Sequence, residues 1–279
     1  MSACARWPIA PLRQAIEPLL PGFVAQALPS IDSTSTELMR RVRAGRMPPT
    51  LLVAETQTAG RGRMGRSWHT GAREDAGAVP ALTFSLGLPL APRDWSGLSL
   101  AVGVSVAESL QPALPPARGG QPRILLKWPN DLWLEDGRKI GGILVETATF
   151  MGDPVAVRYV VIGIGLNVLP VHVQGLTVSA ACLREVDPTF TAAGALQRLA
   201  VPLVQTLLGF AEHGFAPFQA RFARRDLLLG RGVTLSNGQH GSAHGVNEDG
   251  ALLVHTASGM QVVTSAEISV RPAGAGQAS

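Results

Sequence analysis

The stretch RILLKWPNDLWLEDGRKIGGILVET, residues 123–147, decides the fold, because it holds several strand-like runs with no helical spacing between them. Its Asp136-Gly137 pair has the chemistry of a tight hairpin turn, and turns this short join antiparallel strands. The next apolar run, RYVVIGIGLNV at residues 158–168, continues the pattern without an intervening helix. The sequence therefore predicts an antiparallel meander.

The same stretch contains the two lysines of the chain, Lys127 and Lys139. They are the only lysines among 24 Lys and Arg residues. An ammonium group is a compact point charge and a guanidinium is a planar fork, so the two are not interchangeable. In a chain that otherwise uses arginine, each lysine indicates a chemical requirement. The alternative is that both are surface lysines of a hairpin.

A second unusual stretch is QTAGRGRMGRSW, residues 57–68, which follows the predicted strand TLLVAET. Arg61, Arg63 and Arg66 offer forked donors to carboxylate or phosphate, and the glycines allow the backbone to approach a ligand. Because these cations repel one another, we expect the loop to be mobile until an anion orders it. The stretch lacks the Gly-Lys-Ser/Thr ending of a P-loop. The alternatives are a solvated basic turn and an RNA-binding glycine-arginine segment.

The remaining elements follow from apolar spacing and from breaker residues. We expect a helix over DSTSTELMRRVRAG, with a capping box from Thr34 to Glu37 and Gly45 as its end. Further predictions are a strand at ALTFSLGLPL, a buried helix at GLSLAVGVSVAESL, an exposed loop at 71–80, and a helical region from Thr191 to about Leu229 that is broken near Pro202 and Gly214.

From about residue 230 the sequence pattern changes, and it predicts short strands separated by NG, EDG and SG turns. This spacing is typical of a small β-barrel. We therefore expect three parts: an N-terminal accessory segment at 1–28, a catalytic domain at 29–229, and a small C-terminal domain at 230–279.

The composition favours a compact protein, with 46% hydrophobic and 16% charged residues in a chain of 279. No apolar run approaches the roughly 20 residues of a membrane span, and the N-terminus lacks the apolar segment of a secretory signal. We expect a cytoplasmic protein without membrane contact. Cys4 and Cys182 are too few for a disulfide framework. The net charge of +4 is compatible with an anionic substrate or an acidic partner.

Four blocks in series, GRGRMGRSW, KWPNDLW, KIGGILVE and IGIGLNV, closely resemble the biotin protein ligase family in order and in interval. The resemblance implies an α/β (α+β) fold, with a class II aminoacyl-tRNA synthetase-like catalytic domain, a mixed and mostly antiparallel sheet, and a C-terminal SH3-like β-barrel. It also implies a two-step reaction. Biotin and Mg²⁺-ATP give biotinyl-5′-AMP, and the biotinyl group then passes to one lysine of a biotin carboxyl carrier protein.

The resemblance also implies the site residues, position by position. It gives Lys139 and Arg63 as catalytic residues and Asp131 as a metal ligand. It gives Ser33, Thr34, Gln57, Arg61, Gly141 and Gly142 as biotin-binding residues, with the two glycines leaving space for the bicycle and the valeryl chain. It gives Arg63, Arg66, Trp68, Lys127, Asn167 and Arg271 as residues that bind ATP or the adenylate.

The chemistry of these residues fits adenylation independently, because a carboxylate and an α-phosphate repel each other until cations and fixed donors hold them together. Other interpretations stay open for some residues. Ser33 and Thr34 would serve equally as helix caps, Trp68 as a core residue, and Asn130 with Asp131 as hairpin turn residues. Met64 stands where a basic residue is common in the family.

Two other functions are compatible with parts of the sequence. A lipoyl or octanoyl protein ligase shares the implied fold, but the triple-arginine loop and the KWPNDL block belong to the biotin side of the superfamily. A nucleic-acid-binding protein would need a basic face or a reading helix, whereas the arginines here concentrate in one loop. No N-terminal helix-turn-helix is present, so we expect no specific DNA binding. We expect a monomer or a homodimer.

Overall fold

The computed structural model describes residues 7–68, 78–117, 119–149, 157–171, 179–264 and 270–272. Most of the predicted loop at 71–80 lies outside these ranges, as does Cys4. The helices are α1 (Ile9–Ile16), α2 (Thr34–Arg43), α3 (Leu98–Leu110), α4 (Ala192–His213) and α5 (Ala216–Ala223). The strands are β1 (Val24–Ile31), β2 (Thr50–Gln57), β3 (Gly60–Arg61), β4 (Ser67–Trp68), β5 (Ala81–Leu90), β6 (Ile124–Lys127), β7 (Asp131–Leu134), β8 (Lys139–Thr149), β9 (Arg158–Asn167), β10 (Gly232–Leu235), β11 (His240–Val246), β12 (Leu252–Thr256), β13 (Gly259–Val263) and β14 (Val270–Pro272).

Seven strands form one sheet in the order β1-β2-β5-β9-β8-β7-β6. β1 and β2 are parallel, and the other neighbours in this sheet are antiparallel. β9 pairs with β5 along its full length, from Arg158 opposite Leu90 to Asn167 opposite Ala81. The prediction of a mixed, mostly antiparallel sheet is confirmed, and the Asp136-Gly137 turn joins β7 to β8 as expected.

The two faces of this sheet pack against different helices. On one face, which we call the α3 face, α3 lies close enough that a Cβ on Gly103 would be 3.2 Å from Leu126 Cδ2 and 3.6 Å from Ile143 Cδ1. The main hydrophobic core lies on this side and extends to α4. On the opposite face, the α2 face, Leu38 and Met39 of α2 join a smaller cluster that includes Leu52, Val161 and Tyr159. The α2 face also carries the candidate site.

The N-terminal segment differs from the prediction. Of the expected accessory segment 1–28, the described residues 7–28 are not an arm, because β1 begins at Val24 and is a full member of the sheet. Leu12 and Ile16, one turn apart on α1, are buried in the main core together with Phe23. Burial of such side chains contributes roughly 1.5–3 kcal/mol each. The described part of this segment therefore packs with the seven-stranded sheet, and the expected boundary at residue 28 falls inside β1.

The start of α2 also differs from the prediction. The N-cap is Ser33, whose side chain accepts a hydrogen bond from the Thr36 N–H at 3.3 Å. No capping box forms between Thr34 and Glu37, because the Glu37 carboxylate pairs with arginines of the next turn instead. Gly45 ends the helix as expected, with φ of 75°.

The helical region near the C-terminus is broken once rather than twice. α4 continues through Pro202, whereas Gly214 ends it with φ of 66°. A proline inside a helix removes one backbone hydrogen bond and usually kinks or breaks it. Here Leu199, Leu203 and neighbouring apolar residues are fully buried, and their packing holds the helix together across the proline.

The C-terminal region forms a five-stranded antiparallel sheet in the order β13-β12-β11-β10-β14. Its turns contain the predicted glycines, and Gly238, Gly250 and Gly259 all have positive φ. The sheet docks on the catalytic domain through a buried hydrogen bond, 3.0 Å long, from the Trp128 indole N–H to the Gly250 carbonyl. A C-terminal β domain is confirmed, and its closure into an SH3-like barrel stays a prediction.

Candidate active site

Two glycines of β9 allow other elements to lie directly on the α2 face. Gly163 and Gly165 are two residues apart, so they point to the same side of the sheet. A Cβ on Gly163 would clash with the Ser35 hydroxyl of α2, and a Cβ on Gly165 would lie 2.5 Å from Cε2 of Trp68. The absence of side chains here is therefore required for the position of α2 and for that of the Trp68 ring.

A row of residues crosses the sheet beside these glycines. In the strand register, Lys127 pairs with Asp131, Asp131 with Gly142, Gly142 with Gly165, and Gly165 with Thr83. Side chains of directly opposed residues share one face and lie about 4.5–5.5 Å apart at Cβ. The row thus places charged side chains of β6 and β7 next to open, glycine-lined sheet.

Lys139 reaches this row because of a β-bulge. The pairing of β7 with β8 skips Ile140, which is fully buried in the main core. An extra residue reverses the side to which the following positions point, and Lys139 consequently lies on the α2 face. Its Nζ is 2.7 Å from Oδ1 of Asp131 and would be 3.4 Å from a Cβ on Gly142. This ion pair is half-buried.

Gly141 does not border the α2 face, contrary to expectation. It precedes Gly142 in β8, and a Cβ at this position would meet the Gly165 carbonyl and, at 2.6 Å, Cδ2 of the core residue Leu166. Gly141 therefore serves the close approach of β8 and β9. Of the two glycines predicted to leave room for a ligand, only Gly142 faces the site.

A cluster of polar side chains joins the start of α2 to β2 and β5. The Thr34 N–H donates to Gln57 Oε1 at 2.7 Å, and the Thr34 hydroxyl donates to the same oxygen at 3.1 Å. The Thr34 hydroxyl is also 2.7 Å from that of Ser85, which is 2.9 Å from that of Ser35. Ser33, Thr34 and Ser35 are buried, and Ser85 is completely so. The structure thus places Gln57 against Thr34, the chain neighbour of Ser33.

The arginine loop forms a small hairpin from β3 and β4. Gly60 pairs with Trp68, the Gly62 N–H donates to the Arg66 carbonyl at 2.7 Å, and the tip is a short 3-10 turn. Met64 at the tip is in the left-handed region, with φ of 56° and ψ of 37°, and is exposed. A residue other than glycine is uncommon in this conformation, and such residues concentrate at ligand-binding and switch regions.

Two of the three arginines in this hairpin reach acceptors carried by the sheet or its turns. Arg61 Nη1 is 3.0 Å from Oε1 of Glu146 in β8, and Arg63 Nη1 donates to Oδ1 of Asn130 at 3.3 Å. Burial lowers the pKa of the Arg63 guanidinium, the nearby Asp131 carboxylate opposes this effect, and Arg66 adds to it. Arg66 itself is exposed, with its guanidinium 3.9 Å from the Met64 sulfur.

Asn130 and Asp131 have different roles. Asn130 lies in the turn between β6 and β7, where its amide N–H₂ donates to the Ile143 carbonyl at 2.8 Å and its Oδ1 accepts from Arg63. Asp131 is the first residue of β7 and pairs with Lys139. Within the described ranges, no group of three or more His, Cys, Asp or Glu side chains could hold a metal ion. Asp131 is paired with a cation and belongs to no such group.

Trp68 and Asn167 border the opposite end of the α2 face. One face of the Trp68 ring lies on Gly165, and its indole N–H is buried without a hydrogen-bond partner among the described residues. Asn167 continues the row of Gly163 and Gly165 along β9 and donates its side-chain N–H to the Ala181 carbonyl at 3.0 Å.

The remaining predicted residues are less closely associated. Lys127 is opposite Asp131 in the register, and its Nζ lies 5.3 Å from the ring centroid of Trp133. Arg271 pairs with Thr234 through the backbone of β14, and its side chain lies outside the part of the chain that the structure describes.

Residues that sequence reasoning missed include Ser35, Ser85, Glu146, Gly163 and Gly165. A signal for three of them, Ser85, Gly163 and Gly165, was available. In β5, Thr83, Ser85 and Gly87 alternate with Leu82, Phe84 and Leu86, which marks one polar or small face. IGIG in β9 has the same alternation. Nothing in the sequence signals that Glu146 would pair with Arg61, because the two lie 85 positions apart.

Comparisons with known proteins agree with this geometry. The profile of the Biotin/lipoate A/B protein ligase family matches residues 27–167, and that of the Biotin protein ligase C terminal domain matches residues 228–271. The chain is 34% identical over 264 residues to the bifunctional ligase/repressor BirA of Escherichia coli, covering 91% of this chain and 76% of that protein. It is 31% identical to the biotin–[acetyl-CoA-carboxylase] ligase of Paracoccus denitrificans, covering 85% of this chain and 96% of that protein.

Among solved structures, the biotin protein ligase of Aquifex aeolicus in complex with biotin and ATP superposes with a TM-score of 0.70. The two chains are 28% identical, and the match covers 89% of this chain and 98% of the other. Among the helices of the described ranges, none has the length and apolar character needed to span a membrane.

Proposed function

The chain belongs to the biotin/lipoate A/B protein ligase family, and on this basis we propose that it is an ATP-dependent biotin protein ligase. It activates biotin as biotinyl-5′-AMP and transfers the biotinyl group to a lysine. The acceptor is a biotin carboxyl carrier protein, such as that of acetyl-CoA carboxylase.

The single observation that carries the proposal is the arrangement of three cations around glycine-lined sheet. Arg61, Arg63 and Lys139 each contact an acceptor fixed by the sheet or its turns, namely Glu146, Asn130 and Asp131. Arg63 and Lys139 are half-buried, whereas Arg61 is exposed, and all three are held on the same face as the glycines. Two anionic reactants would replace these acceptors, and such prearranged charge stabilises a transition state with little reorganisation.

In the first step, a biotin carboxylate oxygen attacks the α-phosphorus of ATP and pyrophosphate leaves. We assign Lys139 to the charge that builds up between carboxylate and phosphate, because its compact ammonium can contact both. Arg63 closes over the phosphate, and Arg61 binds biotin and holds the hairpin in place. Arg66 and Lys127 are placed to contact the outer phosphates, since Arg66 is exposed on the same hairpin and Lys127 lies beside Asp131.

The polar cluster at the start of α2 supports biotin as the acid. Its ureido ring carries two N–H groups and one carbonyl, and each would cost roughly 1–3 kcal/mol if buried without a partner. Ser33, Thr34 and Gln57 offer buried hydroxyl and amide groups at this position. Gly142 and the β9 glycines leave room for the bicycle and the valeryl chain.

The adenine ring would lie against Trp68 and Asn167. The Trp68 indole lies over Gly165, and Asn167 is two residues further along the same side of β9. We propose that the C-terminal domain brings Arg271 toward ATP or the acceptor protein. The five short strands of that domain and their tight turns support an SH3-like barrel.

In the second step, the neutral ε-amine of the acceptor lysine attacks the acyl carbon of biotinyl-5′-AMP, an amide bond forms, AMP leaves, and the amine loses a proton to solvent. A mixed anhydride of this kind also reacts with water. The arginine hairpin lies over the glycine-lined face and would exclude water from the anhydride while it waits for the carrier.

Mg²⁺ would enter with ATP and neutralise phosphate charge. The residues fit this limited role, because Mg²⁺ keeps several waters and commonly binds one or two carboxylates plus substrate phosphates. Asp131, whose Oδ1 is 2.7 Å from Nζ of Lys139, is the residue that would hold Mg²⁺ once the anionic reactants have replaced it beside Lys139.

A lipoyl or octanoyl ligase is not favoured. The dithiolane ring of lipoate and the chain of octanoate carry no N–H or carbonyl that could hydrogen-bond to the hydroxyls of Ser33 and Thr34, and the matched relatives are biotin protein ligases. A nucleic-acid-binding function lacks support as well, because two of the three arginines of the hairpin, Arg61 and Arg63, point toward acceptors on the sheet or its turns. The cytoplasm, where ATP and carboxylases occur, is the compartment that we propose.

Exchange of labelled pyrophosphate into ATP tests the first step without a carrier protein. We expect exchange that depends on biotin and on Mg²⁺, with lipoate or octanoate giving none. Exchange with lipoate alone would assign the chain to the sister activity, and the absence of exchange with any of these acids would reject adenylation.

A further inference from the structure

The hydrogen-bond directions in the polar cluster can be assigned from the geometry. Gln57 accepts from the Thr34 backbone N–H at 2.7 Å, and a backbone N–H can only donate, so the atom at this position must be the amide oxygen. The Thr34 hydroxyl, 3.1 Å from the same oxygen, must therefore donate to it. This contact uses the only hydrogen of the Thr34 hydroxyl.

The remaining directions follow in sequence. Since Thr34 has no further hydrogen to donate, the 2.7 Å contact with Ser85 must be a donation from Ser85 to Thr34. The hydrogen of Ser85 is then also used, so Ser35 must donate to Ser85 across their 2.9 Å contact. The cluster thus has one direction, from Ser35 through Ser85 and Thr34 to Gln57.

This direction decides what the start of α2 can offer a ligand. The Thr34 oxygen has two lone pairs, and Ser85 occupies one, so Thr34 can only accept from a ligand N–H or O–H group. The adjacent Ser33 hydroxyl accepts from the Thr36 N–H, and among the described residues no contact uses its own hydrogen. It can therefore donate to a ligand carbonyl. An acceptor beside a donor matches the N–H and C=O of a cyclic urea or amide.

We propose that Ser85 is a positioning residue for substrate specificity, which holds the second lone pair of Thr34 toward a ligand N–H and so selects biotin by its ureido group. The inference rests on the proposed function, because it takes biotin as the ligand. Ser85 acts through Thr34 and need not touch the substrate.

The surroundings of Ser85 suit this role. Its side chain is completely buried, so no water replaces its hydroxyl. A threonine in a helix divides between two side-chain rotamers, and two hydrogen bonds, to Gln57 and from Ser85, restrict Thr34 to one of them. Gly163 makes the contact possible, because a Cβ there would displace Ser35 and would lie 3.6 Å from the Ser85 oxygen.

Ligand discrimination tests the proposal more sharply than activity. Calorimetry would measure three affinities, those of biotin and of the two N-methylbiotins, each of which carries a methyl group on one of the two ureido nitrogens. The measurements would be made on the full-length protein and on Ser85→Ala. In the unaltered protein, methylation of the nitrogen that faces Thr34 should weaken binding about 10-fold or more, as expected for the loss of a buried hydrogen bond. In Ser85→Ala, biotin should bind about 10-fold more weakly, and the ratio between biotin and this isomer should fall toward 1.

Two further variants separate positioning from packing. Ser85→Thr keeps the hydroxyl and should restore the ratio, even if the added methyl lowers the melting temperature. Ser35→Ala removes a buried hydroxyl from the same cluster but leaves the donation from Ser85 to Thr34, so it should keep the ratio. A Ser85→Ala protein that binds all three ligands more weakly by the same factor would overturn the proposal, because a packing defect does not distinguish an N–H from an N-methyl group. An unaltered protein that does not bind biotin would instead reject the proposed function.

Discussion

The Nζ atom of Lys139 lies 2.7 Å from Oδ1 of Asp131 on the α2 face, although regular alternation along β8 would turn this lysine toward the α3 face. The β-bulge at Ile140 causes the difference. The bulge places the Lys139 ammonium beside the glycine-lined part of the sheet. It also directs the apolar side chain of Ile140 into the core. A local irregularity of the strand thus creates the charge pair at the centre of the proposed chemistry.

Lys139→Ala should lower the rate of adenylate formation by about 10²–10³, as expected for the loss of one prearranged donor in the transition state. Pyrophosphate exchange measures this step. Lys139→Arg should recover little of the rate, because a planar guanidinium does not replace a compact ammonium. Circular dichroism and the melting temperature serve as controls for folding, and normal exchange by a folded Lys139→Ala protein would remove this assignment.

Arg63→Gly should release biotinyl-5′-AMP into solution, because Arg63 is the half-buried arginine of the hairpin and holds it to Asn130. The freed adenylate should then label exposed lysines of bystander proteins. The matched control is Arg66→Gly, which removes an exposed arginine three positions away and should keep labelling confined to the carrier. Mass spectrometry of a mixture of carrier and bystander protein counts the labelled sites. Single-site labelling by Arg63→Gly would count against closure by the hairpin.

Gly165→Ala should displace the Trp68 ring, since the new Cβ would lie 2.5 Å from Cε2 and 2.8 Å from Cζ2 of the indole. We expect the KM for ATP to rise about 10-fold, with a smaller change in the KM for biotin. Gly209→Ala is the control, because nothing lies within 4 Å of a Cβ there and alanine is the better helix former. Equal changes in both KM values for Gly165→Ala would indicate a general distortion of the sheet instead.

The free energy of unfolding should fall as the pH rises from about 4 to about 6. Burial raises the pKa of Asp226 from 3.8 to about 6, so in this range the native state binds more protons than the unfolded chain. The decrease amounts to at most about 3 kcal/mol. Asp226→Asn keeps an acceptor for the Leu228 N–H, which donates to Oδ1 at 2.8 Å, and removes the titration.

Urea unfolding at several pH values checks this prediction. The Asp226→Asn protein should show a flatter dependence on pH and a higher stability at pH 7 than the unaltered protein. An identical slope in both proteins would show that Asp226 is not the group responsible.

Much of the fold was predictable because local signals agree with one another. The Asp136-Gly137 turn and the β-branched runs around it predict the antiparallel strands, and they form as expected. The helix through Pro202 was not predictable from a local breaker, because the buried leucines on either side stabilise it through tertiary packing. The burial of α1 was likewise not predictable, because its few apolar residues become core only when the sheet is present.

The candidate site likewise has features that the sequence predicts and features that it does not. The cations were recognisable from composition and from motifs, because arginine clusters and rare lysines stand out in any sequence. The face to which Gly141 points depends on the bulge at Ile140, and a bulge leaves no local signature here. The role of Ser85 depends on contacts with residues 50 or 51 positions away, at Ser35 and Thr34. Such long-range contacts arise only when the sheet is assembled.

The most direct test of the central claim is the intact mass of an apo biotin carboxyl carrier domain after incubation with this protein, biotin, Mg²⁺ and ATP. The account predicts one biotinyl increment on the carrier, dependent on ATP and absent when lipoate replaces biotin. An unmodified carrier under these conditions, or a lipoyl increment alone, would contradict it.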